Sequence, residues 1–128
     1  DGQLHRVDGA LVTIMACLAC GYPCSISWDI LRDHADHFLS VPDYVAAQGM
    51  RVLGAPLPGD PQVISGESGA ATLGLVTEVL RRKDLAPLKE ALGLGKASRI
   101  LCFSTEGDTD RENYRNILWD GLWPHPSK

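Results

Sequence analysis

Apolar positions fall in short blocks of differing period, and the blocks predict helices alternating with strands. Residues 11–20 are almost wholly apolar and end at Gly21 and Pro23, which punctuate the pattern. Ser25 or Ser27 is a candidate cap for a helix running to about residue 37, with Ile26, Ile30 and Leu31 as its buried stripe. Residues 37–41 suit a short buried strand; Pro42 and Asp43 then open a second helix to about Leu53, stopped by Gly54. Three prolines and a glycine make residues 55–61 a loop, and residues 62–65 read as a short extended segment leading into a helix over 67–82.

In that helix Ala70, Ala71, Leu73, Leu75, Val76, Val79 and Leu80 surround most of the circumference, which predicts a buried helix. Gly69 and Gly74 lower its helix propensity and point to close backbone approaches. Asp84 can cap a further helix with Pro87 in its first turn, ending near Leu92 with Gly93 and Gly95 as the exit. Residues 99–103 read as a strand of the buried kind. A polar stretch follows, and a last helix over 112–119 packs Tyr114, Ile117 and Leu118 before Trp123 and Pro124. Such alternation predicts an α/β layer structure, a mostly parallel sheet flanked by helices, with ligands just beyond the carboxyl ends of the strands. Residues 65–69 and 104–108 are the loops in that position.

Composition narrows the function classes. With 128 residues, 45% hydrophobic and 22% charged, the chain is one compact unit or a piece of one. A formal net charge of -4, with Arg81, Arg82 and Lys83 as the one basic cluster, gives no footprint for a phosphate backbone, so no nucleic-acid partner is expected. The apolar run over 10–20 falls short of the roughly 20 residues that span a bilayer, and no basic segment like that of a secretory signal precedes it. A soluble, cytoplasmic chain with no membrane partner is expected. It opens on polar, turn-like residues without a methionine, as a stretch from within a longer protein would.

Cys17, Cys20, Cys24 and Cys102 lie in or beside apolar sequence and read as buried thiols, with nothing demanding an oxidising compartment. Together with His34 and His37 the first three have a spacing reminiscent of thiolate ligands. No second compact ligand pair closes a tetrahedron, so no metal is expected.

Two stretches carry candidate chemistry. Ser65-Gly66-Glu67-Ser68-Gly69-Ala70 enters a helix N-terminus, where free N–H groups favour an anion. A phosphate cradle is one reading; a capped helix start with glycines for tight packing is the other, favoured on local sequence. Ser104-Thr105-Glu106-Gly107-Asp108-Thr109-Asp110 bunches hydroxyls and carboxylates where an α/β ligand site would lie, though a polar surface turn reads the same way.

Five groups of residues, in order, carry a resemblance. They are 13–16 with 18–21, Pro42-Asp43-Tyr44-Val45-Ala46-Ala47, Gly49-Met50-Arg51, the stretch from Ser65 to Ala70, and Phe103-Ser104-Thr105-Glu106-Gly107-Asp108. Together they are similar to the C-terminal segment of diaminopropionate ammonia-lyases, pyridoxal-phosphate enzymes of the tryptophan synthase β family. The resemblance covers nearly the whole chain. It implies part of a fold-type II pyridoxal-phosphate enzyme, a carbon–nitrogen lyase turning the amino acid 2,3-diaminopropionate into pyruvate and ammonia, and a homo-oligomer, a dimer.

By the same resemblance Ser104 matches the serine that faces the pyridine nitrogen of pyridoxal phosphate. A neutral hydroxyl there leaves the nitrogen unprotonated and favours β-elimination. Glu67 matches an acidic position near the ring in some members. The family's Schiff-base lysine, its acid–base aspartates and its phosphate-binding glycine loop match nothing in this chain. Lys83, Lys89, Lys96 and Lys128 stand in polar contexts as solvated surface groups.

Two positions depart from the family pattern: Tyr22 stands where glutamate is usual and Cys17 where glycine is usual. Either change would crowd or neutralise the site. Residues 1–128 are thus expected to be the C-terminal portion of a lyase domain, inactive alone. The rival expectation is a non-catalytic α/β module that self-associates or docks on a partner through an open sheet edge.

Overall fold

The structure of the chain, a computed structural model, describes residues 3–126. The turn-like start at Asp1 and Gly2 and the solvated Lys128 lie outside the described residues. The helices are α1 (Ser25–His34), α2 (Asp43–Gly54), α3 (Glu67–Arg81), α4 (Ala86–Ala91) and α5 (Arg111–Leu118), with short 3-10 turns at Ala16–Leu18 and Lys83–Leu85.

The expected mostly parallel sheet is not there: the described residues contain no strand. Residues 37–41, 62–65 and 99–103 have strand-like composition but adopt no regular structure. A ladder requires a second strand alongside, and β propensity measures fit to a pleated, half-buried surface rather than a tendency of the backbone alone. Residues 62–65 bond back to a helix end instead, the Val63 N–H donating to Leu53 O at 3.0 Å. In the run expected to be a buried strand, Leu101 is 78% exposed and Phe103 69%.

The core forms where α2 crosses α3. A Cβ on Gly74 would collide with the Val45 carbonyl oxygen, and one on Gly49 with that of Ala70, so the two helices meet backbone to backbone. The close approach expected at Gly74 is present, with Gly49 as its counterpart. Ala46, Ala47 and Ala70 are fully buried around the crossing, and Met50 and Ile117 fill the space between α2, α3 and α5. The C-terminal end of α2 presses on α5, where Gly54 leaves room for Leu118 and Tyr114. Burial of α3 is all round at its start, where Glu67 to Ala71 are covered in succession, and one-sided beyond, where Gly74, Glu78 and Val79 are covered while Leu80 is exposed.

Local signals set the helix ends. The α4 exit is a Schellman motif, with Gly93 at φ +63°, its N–H donating to Glu90 O (2.9 Å) and the Leu94 N–H to Lys89 O (3.1 Å). Asp110 caps α5, its Oδ1 accepting from the Asn113 N–H at 2.9 Å. At the start of α2 the Asp43 carboxylate accepts from Thr13 Oγ1 (2.5 Å) and the Ile14 N–H (3.3 Å), tying the N-terminal segment to the core. Arg51 does the same for the other end, donating to the carbonyls of Ile117, Leu122 and Trp123. His125 rests on Tyr44 and meets the buried Glu78 at 3.1 Å, and Glu78 also pairs with Arg82.

Helix α1 behaves differently. Neither Ser25 nor Ser27 is its cap; Cys24 stands at that position without a capping side chain, and the helix ends at His34 rather than near residue 37. Its stripe of Ile26, Ile30 and Leu31, expected to be buried, is exposed. Among the described residues α1 packs on no other helix, so the periodicity marks an apolar face that this chain leaves uncovered.

Candidate functional site

The two loops singled out by position meet at the start of α3. The Gly66 N–H donates to Glu106 O at 3.1 Å, and the Ser104 and Ser65 hydroxyls lie 2.8 Å apart in a hydrogen bond. Ser104 Oγ is also 3.3 Å from Glu106 O. Glycine at 69 permits the docking: a Cβ there would stand 2.7 Å from Ser65 Oγ, 2.9 Å from Thr105 N and 3.2 Å from Ser104 Oγ. Ser65 is fully buried beneath the loop, while Ser104 itself is exposed.

Glu106 completes the junction. The residue at the cap of α3 is Gly66, which has no side chain to offer. The Glu106 carboxylate takes over, Oε1 accepting from the Ser68 N–H at 2.6 Å. A negative charge at a helix N-terminus is favoured by the dipole and by charge-assisted hydrogen bonding. An anion therefore already occupies this N-terminus, and a phosphate there would meet the carboxylate at close range. The phosphate-cradle reading of residues 65–69 does not fit.

Cys17 reaches the same junction from the 3-10 turn, its thiol donating to Glu106 Oε2 at 3.5 Å. That hydrogen bond, with the carboxylate's charge, pushes the Cys17 thiol above the usual cysteine range. Cys17, Cys20 and Cys24 are exposed rather than buried, and Cys102 is half-buried; three of these residues flank turns at the surface instead of lining the core. Tyr22 lies on the surface, in a hollow with Arg6, Val7 and Leu11. Among the described residues no cluster of histidine, cysteine, aspartate and glutamate could hold a metal, and no helix is long and apolar enough to cross a membrane.

Glu67 is 8% exposed, and its Oε1 accepts from Asn113 Nδ2 of α5. The structure thus gathers Ser65, Ser104, Glu106 and Cys17 at one point and ties Glu67 to α5. Glu106 was not singled out by sequence reasoning. Its signal was an acidic residue two positions after Ser104, in a chain whose α3 begins on an uncapped glycine.

No protein-family model matches the chain. Curated relatives do. The diaminopropionate ammonia-lyase of Escherichia coli strain K12 is 49% identical over 120 residues, covering 94% of this chain and 30% of the relative. The chain resembles a segment of diaminopropionate ammonia-lyase. The enzyme of that name from Salmonella typhimurium strain LT2 is 48% identical over 122 residues, with the same coverage. The Escherichia coli diaminopropionate ammonia-lyase in complex with an aminoacrylate-PLP azomethine reaction intermediate superposes with a TM-score of 0.84 at 50% identity, covering 88% of this chain and 29% of that one. Its complex with D-serine gives 0.80 at 48%, covering 84% and 27%. The chain thus spans about 30% of the length of the curated relatives it matches. The resemblance read from the motifs holds: those homologues are named ammonia-lyases, carbon–nitrogen lyases, and the Escherichia coli enzyme has been seen with a pyridoxal phosphate (PLP) intermediate.

The hydroxyl chemistry at this junction is compatible with a neutral partner for a pyridine nitrogen. Ser104 offers a neutral, accessible hydroxyl held by its neighbours. The Ser104 hydroxyl donates to Ser65 Oγ and Ser65 in turn to the Gly66 carbonyl, so Ser104 stands at the exposed end of a short hydroxyl chain.

Proposed function

We propose that this chain supplies the ring-nitrogen side of the PLP pocket in a diaminopropionate ammonia-lyase, as the C-terminal portion of a longer protein that acts on 2,3-diaminopropionate. The carrying observation is the Ser104 hydroxyl, held at 2.8 Å by the buried Ser65 on a loop docked to the start of α3. When bound, PLP supplies the electron sink for removing the β-amino group. Ser104 binds the pyridine nitrogen as a neutral partner and leaves it unprotonated. Glu67, anchored by Asn113 of α5, is the acidic position proposed to lie near the ring.

The chain alone is proposed to be inactive. Lys83 and Lys96 are exposed and Lys89 half-exposed, and none of them belongs to the Ser104 junction. In the same reading the whole protein is a cytoplasmic homo-oligomer, a dimer, and the apolar face of α1 that this chain leaves bare is covered within that assembly. The test is to mix the chain with PLP, reduce with borohydride and map the modified lysines by mass spectrometry. Scattered, substoichiometric labelling is expected. One stoichiometric adduct at a single lysine, with turnover of diaminopropionate, overturns the reading.

A further inference from the structure

The geometry points to Glu106 as the positioning residue that holds Ser104 in place against Ser65 and the start of α3. This rests on the role of Ser104 proposed above. Glu106 grips α3 with both halves of its structure: its carboxylate takes the Ser68 N–H at 2.6 Å and its main-chain oxygen takes the Gly66 N–H at 3.1 Å. Ser104 sits two residues earlier, so it is held between that grip and its own bond to Ser65.

The margins are narrow. Gly66 has no space for a Cβ, which would lie 2.8 Å from Glu106 Cγ, and Gly69 none beneath Thr105 and Ser104. The loop therefore lies directly on the helix backbone, and slackening at residue 106 is passed to Ser104. An interaction that orients a reacting group loses its effect with displacements of about 1 Å. No atom of Glu106 is required to touch the cofactor; its carboxylate is spent on Ser68 and Cys17.

Helix capping alone would give the same contacts, so the test separates stability from positioning. In the longer protein of which this chain is proposed to be a portion, with PLP bound, E106A, E106Q, E106D and S104A are compared by hydrogen–deuterium exchange at the Ser68 amide and by the absorption and fluorescence of the cofactor. Losing a charge-assisted hydrogen bond is expected to speed exchange at Ser68 by roughly tenfold in E106A. The cofactor spectrum should move in the same direction as in S104A. E106Q retains an acceptor of the same length and should restore most of both signals. If E106A does not fold, E106D, one methylene short, should show the same two changes at smaller size.

Unchanged exchange at Ser68 overturns the inference. So does faster exchange with a wild-type spectrum in the Glu106 variants while S104A shifts. A wild-type spectrum in S104A overturns the Ser104 reading, and this inference with it.

Discussion

The α2–α3 crossing and helix α1 are both amphipathic helical structure, yet they end in opposite conditions. At the crossing, Gly49 and Gly74 bring two backbones into contact and Ala46, Ala47 and Ala70 are sealed from solvent. In α1 the apolar side chains Ile26, Ile30 and Leu31 face water, and no helix of the chain lies on them. Residues 99–103 belong with α1, their side chains Ile100, Leu101 and Phe103 being exposed as well. Apolar periodicity identifies a face that needs cover; it carries no information on which chain segment provides it. The glycine pair at the crossing, by contrast, specifies its partner closely, because the space at Gly49 and Gly74 is filled by the other helix's main chain.

The largest effect expected from this contrast is at Gly74. Gly74→Ala places a methyl group against the Val45 carbonyl oxygen, and overpacking of this kind should remove about 3 kcal/mol of stability, measured by urea denaturation. A loss below about 1 kcal/mol would show that the crossing yields easily and would erase the distinction from α1.

A second prediction compares two helix starts. That of α3 is filled by Glu106, which raises the neighbouring Cys17 thiol. At the start of α1 no carboxylate intervenes, and Cys24 is lowered by hydrogen bonding from the Ser27 backbone and side chain and from the Ile26 backbone. The thiolate is the reactive form, so Cys24 reaches it at lower pH. Alkylation by iodoacetamide, followed by peptide mapping over a pH series, should label Cys24 before Cys17; the reverse order would mean that Glu106 does not face the sulfur.

The smallest effect is expected at the uncovered positions. In this chain Ile30→Ser and Leu101→Ser should each change stability by less than about 0.5 kcal/mol. A loss several times larger in either would reveal a covering contact in solution and break the comparison.

The sequence was most informative where contacts are local or backbone-bound. Gly93 and Lys89 to Leu94 form a helix exit written within six residues, and Gly74 announced a close approach that α2 supplies. The helix over 67–82 was read to within one residue of α3. The sheet was misread because residues 99–103 have the same composition whether a neighbouring strand pairs with them or not, and pairing is a property of the neighbour. The long reach of the site explains the rest: Glu106 to Ser68 spans 38 positions and Ser104 to Ser65 spans 39. Resemblance picked out Ser104, but the carboxylate steadying it is visible only when the loop lies on the helix.

The glycine contact also bears on how this sequence can diverge. Because a side chain at either Gly49 or Gly74 runs into the other helix's main chain, no exchange at one can be compensated by a smaller residue at the other; glycine is already the floor. Drift at these two sites therefore has to wait for a change in the path of a whole helix. Positions on the bare face of α1 meet no such main-chain wall among the described residues, so an exchange there can be accommodated by a change in whatever side chains cover it.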